Sequence, residues 1–372
     1  MSARLSQLRG GDGHRRPRPA EGGQHAGLPG RSRWLDLGGP VRYIDYGGRA
    51  RDPLIVCVHG LGGSAVNWAA IAPLLTDRYR VIAPDLAGHG LTRSAGRGTD
   101  VAANRKLLHA FLGAVSAEPV ILAGNSMGGM IALLEASAAP ERVSRLVLVD
   151  PALPFVPARP DLLVATVFAL GAIPLVGRAI LGRTRSLQPE TVVAGALTLC
   201  CADPALVPAD VVALHVALAG QRSDIPDAGR DMSAATRSVI ATAASPEYRE
   251  RIKAVSCPVL LLHGDRDRLV PVSAARAAVR AHPSWSLSVL AGVGHVPQLE
   301  SPQQSAFVIR EWLHETDRHP SWRPGRAAHR RRGLKAEGPA DQDLRPWSGG
   351  TNGRTVKMYP LFRVRRKAPQ ER

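Results

Sequence analysis

Residues 117–130 read Ala117-Glu118-Pro119-Val120-Ile121-Leu122-Ala123-Gly124-Asn125-Ser126-Met127-Gly128-Gly129-Met130. A short apolar run ends at Gly124, Ser126 follows two residues later, and Gly128 and Gly129 precede an apolar helical pattern. The spacing predicts a strand that turns sharply into a helix. Such a turn holds its tip residue in a strained conformation and needs small neighbours so that the backbones can approach. A serine at the tip is pushed outward at a helix N-terminus, where developing negative charge is favoured. That is the setting of a nucleophile, although a Gly-x-Ser-x-Gly match alone is equally a glycine-rich turn that happens to hold a serine. The rest of the chain decides between the two.

The chain has 372 residues, 45% of them hydrophobic, and a net charge of +17. A charge of that size suggests nucleic acid until it is located. Residues 1–33 carry seven arginines against Asp12 and Glu21, a net +5. Residues 317–372 carry fifteen Lys or Arg against five acids, a net +10, so residues 34–316 hold only +2. Both ends are rich in Arg, Gly and Pro without period, and such composition cannot bury enough surface to offset the entropy of ordering. They read as disordered basic tails. No aromatic platform accompanies Arg330-Arg331-Arg332 or the Arg363–Lys367 cluster, so no nucleic acid is expected. Cys57, Cys200, Cys201 and Cys257 fit neither a metal-ligand spacing nor a disulfide framework and read as reduced core thiols. The first thirty residues lack the apolar stretch of a signal peptide. The longest apolar run, Leu162 to Gly177, is short for a membrane span and is broken by Gly171 and Pro174. A cytoplasmic protein is the expectation.

Between the tails, strands are expected at Val41–Asp45, Leu54–His59, Arg80–Pro84, Val120–Ala123, Arg145–Val149, Val259–His263 and Ser286–Leu290. The later ones are near-continuous Val/Ile/Leu runs, as in strands covered on both faces of a parallel sheet. Helical patterns fall between them at Trp68–Leu75, Val101–Val115, Gly129–Ala138, Ser273–Ala281 and Pro302–Leu313. The alternation predicts a doubly wound, mostly parallel α/β sheet. It breaks once, from Phe155 to Ile252, where an Ala-, Leu-, Val- and Pro-rich stretch reads as helices inserted over the carboxyl edge of the strands. Ligand sites of open α/β sheets lie at that edge.

A nucleophilic serine needs a base, an acid that orients the base, and donors for the oxyanion. The base candidate is His295, in Gly292-Val293-Gly294-His295-Val296-Pro297 after the last expected strand. His59, His89 and His263 compete but read better as structural histidines. The acid candidate is Asp267, in Gly264-Asp265-Arg266-Asp267, with Asp265 and Asp150 as open alternatives. Met127 N–H, directly after the serine, is one oxyanion donor. The other is placed on His59-Gly60-Leu61-Gly62-Gly63, at Leu61, where glycines let the backbone come close. No Gly-Lys-Ser/Thr follows that loop, which excludes a P-loop.

This order of elements resembles the α/β-hydrolase fold superfamily, in its serine-nucleophile branch of esterases and lactonases, over roughly residues 38–315. The likeness extends to Asn67-Trp68, to Asp85-Leu86-Ala87-Gly88-His89-Gly90, and to Glu300-Ser301-Pro302. It implies a triad of Ser126, Asp267 and His295 and no cofactor or metal. It also implies a core at 34–154 and 253–316, with a helical lid, residues 155–252, inserted after the sixth strand. Epoxide hydrolases and haloalkane dehalogenases of similar fold use aspartate at the elbow, and Ser126 excludes that route. Carbon–carbon bond hydrolases of aromatic degradation often share Gly-Asn-Ser-Met-Gly-Gly. They usually have a longer oxyanion loop and a tryptophan after the histidine, where this chain has Val296. Hydrolysis of a small carboxylic ester or lactone with an apolar moiety is therefore the leading expectation. The alternatives are carbon–carbon hydrolysis and a non-catalytic binding protein of the same fold. The Leu162–Gly177 run also offers a peripheral contact between lid and lipid surface; oligomeric state is left open.

Overall fold

The computed structural model of the chain describes residues 29–154, 166, 170, 173, 187–225 and 227–318, and the backbone of 356–359. Among the described residues nine strands form one sheet: β1 (Arg31–Asp36), β2 (Pro40–Gly47), β3 (Leu54–Val58), β4 (Arg80–Pro84), β5 (Val120–Asn125), β6 (Val143–Val149), β7 (Val259–Gly264), β8 (Ser286–Leu290) and β9 (Val356–Tyr359). Their spatial order is β1-β2-β4-β3-β5-β6-β7-β8-β9. β2 pairs antiparallel with β1 and with β4, and every later neighbour is parallel. The doubly wound, mostly parallel α/β sheet expected from the strand-helix alternation is the fold observed.

Side-chain alternation explains why these segments are strands. Ile55 and Cys57 face one layer while Val56 and Val58 face the other, and Leu146 and Leu148 lie opposite Val147 and Val149. Both faces are covered, so both sets are apolar. Each fully buried Val or Leu contributes on the order of 2 kcal/mol. One layer is built from α1 (Val101–Val115) and α2 (Met127–Ala138), with Leu108, Phe111, Ile131 and Leu133 packed inward. The opposite layer includes Trp68, Ile71, Ile309 and Trp312. Buried Glu135 of α2 accepts from Arg105 and pairs with His109, both of α1, at 2.9 and 2.7 Å, which fixes the two helices together.

The inserted region contributes four described helices: α3 (Pro189–Cys200), α4 (Ala209–Ser223), α5 (Ala228–Ala244) and α6 (Pro246–Lys253). They meet the loops that leave the carboxyl ends of the strands. Arg222 of α4 donates to the carbonyls of Gly88 and Gly90. Thr99 donates to the Asp231 carbonyl, and Met232 of α5 lies against Gly62. Tyr248 of α6 donates to the Ala152 carbonyl at 2.9 Å. The chain then continues through β7, α7 (Val272–Ala281), β8, the single turn α8 (Pro297–Glu300) and α9 (Pro302–Asp317).

The structure differs from the sequence reading in three places. Arg31–Asp36 is a strand, so ordered chain begins inside the segment read as an amino-terminal tail; the hairpin turn at Gly38 and Gly39, both at positive φ, returns it onto β2. Val356–Tyr359, inside the segment read as a carboxyl-terminal tail, pairs parallel with β8. The helix expected at Trp68–Leu75 is two short 3-10 turns, Ala65–Trp68 and Ala72–Leu75, the second opened by Pro73. The remainder of both tails and most of 155–186, including most of the Leu162–Gly177 run, lie outside the described residues. Among the described residues no helix is long and apolar enough to cross a membrane.

Candidate active site

Strand order reverses at β3, which has β4 on one side and β5 on the other. In open α/β sheets the loops leaving such strands part and ligands bind between them at the carboxyl edge. Ser126 stands at the tip of the β5–α2 turn, with φ 54° and ψ −119°. Its conformation is held from three sides: its N–H donates to the Val149 carbonyl, and its own carbonyl accepts from Met130 and Ala152. Its neighbouring glycines are sterically required. A Cβ at Gly124 would overlap the Gly128 carbonyl, and one at Gly128 would overlap the carbonyls of Val58 and His59. A Cβ at Gly129 would press on Pro151. Ser126 remains partly exposed while Asn125 and Met127 on either side are buried.

The loop after β3 lies beside it. A Cβ on Gly60 would stand 3.0 Å from the Ser126 Cβ. Gly63 N–H donates to the Gly60 carbonyl at 3.1 Å, closing a tight turn over Leu61 and Gly62. Ser64 caps the next helical turn, and Asn67 accepts its N–H at 2.8 Å. Fully buried Asp85 fixes this loop from behind: it accepts from Ala65 N–H at 2.7 Å, Leu91 N–H at 2.8 Å and Arg42 at 3.1 Å. The loop that bears Leu61 is thereby held beside the elbow. Met127 supplies the first N–H of α2, one of the donors that a helix cannot satisfy internally.

His295 and Asp267 meet on the adjacent loops. His295 Nδ1 lies 2.7 Å from Asp267 Oδ2, and both residues are buried. With Nδ1–H donating to the carboxylate, Nε2 is the basic nitrogen. The other carboxylate oxygen accepts from Leu269 N–H at 2.8 Å and Val270 N–H at 3.0 Å. Burial pushes the Asp267 carboxyl up. The charge and hydrogen bond of His295, followed by His263, pull it down further, so it lies below the ordinary carboxylate range. Asn125 joins the two halves of the site. Its side-chain amide donates to the Val149 carbonyl at 3.0 Å and to the His295 carbonyl at 3.1 Å. The residue beside Ser126 thus holds the backbone of His295, across 170 positions of sequence.

The competing residues are structural or auxiliary. Asp265 accepts from Gly292 N–H at 2.7 Å on an exposed turn. His59 accepts from Leu86 N–H at 3.0 Å through Nε2 and donates from Nδ1 to the Gly60 carbonyl, so it is neutral, and burial lowers its pKa to about 4. His89 is likewise buried and lowered to about 3. His263 bonds the Val270 carbonyl through Nε2 at 2.9 Å.

Asp150 is different. It follows β6 at φ 43°, is fully buried, accepts from Gly264 N–H at 3.0 Å, and leaves Oδ2 without a partner. Burial, then the Asp267 charge, push its carboxyl well above the ordinary range. Asp150, His263 and Asp267 are the one group of three potential metal ligands among the described residues, with ligand atoms within 4.8 Å of one another. Asp267 Oδ2 is already bonded to His295, and His263 Nε2 to the Val270 carbonyl.

Sequence reasoning missed Asn125 and Glu300 as parts of this assembly. Asn125 was visible only as the residue between Gly124 and Ser126. Glu300 was visible only as part of Glu300-Ser301-Pro302. It is 3% exposed and accepts from Gly294 N–H at 2.8 Å, Asp203 N–H at 2.8 Å and Ala202 N–H at 3.2 Å.

A serine at a strained strand–helix turn, a glycine-rich loop beside it and a carboxylate-bound imidazole on neighbouring loops of the same sheet are the arrangement of a hydrolase-type site. Residues 55–306 match the alpha/beta hydrolase family, and the chain belongs to it. It is 30% identical over 288 residues to the dihydrolipoyllysine-residue acetyltransferase component of an acetoin cleaving system from Pseudomonas putida, covering 77% of this chain and 70% of that one. It is 27% identical over 270 residues to a pimeloyl-[acyl-carrier protein] methyl ester esterase from Aromatoleum aromaticum, covering 70% of this chain and 97% of the esterase. Among solved structures, a putative lipase from Acinetobacter baumannii superimposes with a TM-score of 0.64 at 25% identity, covering 78% of this chain and 93% of the lipase.

Proposed function

We propose that the protein hydrolyses carboxylic esters or lactones carrying an apolar moiety, through an acyl-enzyme on Ser126. The observation that carries this reading is the 2.7 Å bond from His295 Nδ1 to Asp267, on a loop tethered by Asn125 to the Ser126 elbow. In the first step Ser126 Oγ attacks the carbonyl carbon and His295 Nε2 takes the hydroxyl proton. Asp267 keeps the imidazole in the required tautomer and stabilises the imidazolium. The N–H groups of Leu61 and Met127 hold the oxyanion. His295 then protonates the leaving alkoxide, activates water, and the acyl group leaves as a carboxylic acid. No step calls for a cofactor or metal.

The esterase and lipase similarities support an ester as the scissile bond. The apolar composition of the inserted helices, where Val193, Leu197, Val211 and Leu218 are buried, supports an apolar acyl or alcohol group. The test is a fluorophosphonate probe together with a short-chain nitrophenyl ester and a small lactone panel. The reading requires labelling at Ser126 and turnover that disappears in Ser126→Ala. Wild-type protein that neither labels nor turns over any panel member refutes it.

A further inference from the structure

The loop that bears His295 is fastened to the inserted helices, in large part by one buried carboxylate. Glu300 closes the turn α8, five residues after His295. Its Oε2 accepts from Gly294 N–H and Ala202 N–H, and its Oε1 accepts from Asp203 N–H. Gly294 precedes the histidine, whereas Ala202 and Asp203 follow α3, nearly a hundred residues earlier. A second link runs alongside: His295 N–H donates to the Cys200 carbonyl at 2.6 Å. The fit is close, since a Cβ on Gly294 would overlap the Cys200 carbonyl and approach Ala202 N. Glu300 reaches neither Ser126 nor Asp267 through any of these bonds. All three of its donors are backbone groups that set where the histidine loop sits.

We infer that Glu300 is a positioning residue of the reaction: its carboxylate locks the end of α3 to the Gly294–His295 backbone and so places the imidazole against Ser126 and Asp267. This inference rests on the assignment of His295 as the base. Removing the carboxylate leaves three N–H groups without their acceptor, that of Gly294 buried, and lets the two segments part. A displacement of roughly an ångström at a catalytic group lowers turnover about a hundredfold. A glutamine is graded between the two. Its carbonyl can serve Gly294 and Ala202, but its NH2 group then faces the Asp203 N–H, donor against donor.

The experiment uses the full chain as wild type, Glu300→Ala and Glu300→Gln, each first shown folded by circular dichroism. Two readouts follow: kcat and KM on a short nitrophenyl ester, and the low-field proton resonance of His295 Nδ1–H in the bond to Asp267, identified by its loss in Asp267→Ala. Glu300→Ala should lower kcat about a hundredfold with KM within about threefold, and broaden or shift the resonance. Glu300→Gln should fall between it and wild type on both measures. Folded variants that keep wild-type kcat and an unchanged resonance, with only the melting temperature reduced, would assign Glu300 to stability alone and overturn the inference. Should Glu300→Ala not fold, Glu300→Gln carries the decision on the same two readouts. If wild type has no esterase activity, the resonance still reports whether Glu300 places His295. The inference and the functional reading can therefore fail separately.

Discussion

The two halves of the site are built in opposite ways. The Ser126 half is local: Gly124, Asn125, Ser126, Met127, Gly128 and Gly129 make a strand end, a strained tip and a helix start within six residues. The His295 half is assembled from distant pieces. Asp150 comes from the end of β6, Cys200–Asp203 from the end of α3, Asp267 from the loop after β7, and Gly294 and Glu300 from the loop after β8. A short motif can encode the first half because its residues are consecutive, and the steric limits that Val58, His59 and Pro151 set on them are met by glycine alone. The second depends on hydrogen bonds that exist only once the sheet has brought its carboxyl edges together.

That contrast predicts different responses to mutation. The largest effect falls on the local half: Ser126→Ala should lower turnover on the order of a millionfold, with thermal stability near wild type, measured by ester turnover and calorimetry. Residual turnover within a hundredfold of wild type would show that another group is the nucleophile. On the assembled half, Asp267→Asn should lower turnover about ten-thousandfold, because an amide stabilises the wrong imidazole tautomer. If Asp150 can substitute for it, the loss will be far smaller, and the ratio of the two activities measures how redundant this half is.

Gly128→Ala probes the steric constraint. Its Cβ has no room between the carbonyls of Val58 and His59. Destabilisation of about 1–3 kcal/mol or more is expected, seen as a lower urea midpoint, together with lost labelling of Ser126. An unperturbed midpoint would mean that the elbow can shift at little cost.

The smallest effect is at Asp150, and its sign depends on pH. Its folded pKa lies above the unfolded value, so its contribution to stability is complete below about pH 3.9, the ordinary aspartate value, and is lost as pH rises toward the folded pKa. Asp267, held below its unfolded value, runs the other way: its contribution is present above that pH and is lost as pH falls. Asp150→Asn keeps a neutral group of the same shape, so turnover at pH 7 should change by less than about tenfold. The melting temperature of Asp150→Asn relative to wild type should climb with pH above 4. A difference that stays flat from pH 4 to 9 would show that Asp150 is ionised alongside Asp267.

Much of the architecture was legible in the linear pattern. Arg80–Pro84, Ser286–Leu290 and Val101–Val115 coincide with the expected elements, since buried parallel strands are plain apolar runs and a helix capped by Asp100 declares its start. β1 was missed because it is an edge strand that fully buries none of its residues, with Arg31, Arg33 and Asp36 exposed, and carries no apolar run. The 65–75 stretch was misread as one helix because Pro73 and the packing of Trp68 against the sheet break it into two turns. Of the candidate site, the residue types and their order along the chain were readable and Asp267 was the favoured acid, but nothing local excluded Asp150 or Asp265. All three follow strands that end at the same edge, and only the 2.7 Å bond distinguishes Asp267.

The sequence by itself determined the central strands of the sheet, the glycine-framed serine and the histidine loop, because each is written in consecutive residues or in a short apolar run. Tertiary structure alone decided which carboxylate faces His295, that Asn125 bridges to the histidine backbone, and that Glu300 ties this loop to α3. These are contacts between segments 97 to 170 residues apart, or between loops whose relative placement is set by sheet order. No local pattern records them, since hydrogen-bond geometry is specified by where the folded backbone puts each donor, not by which residue follows which.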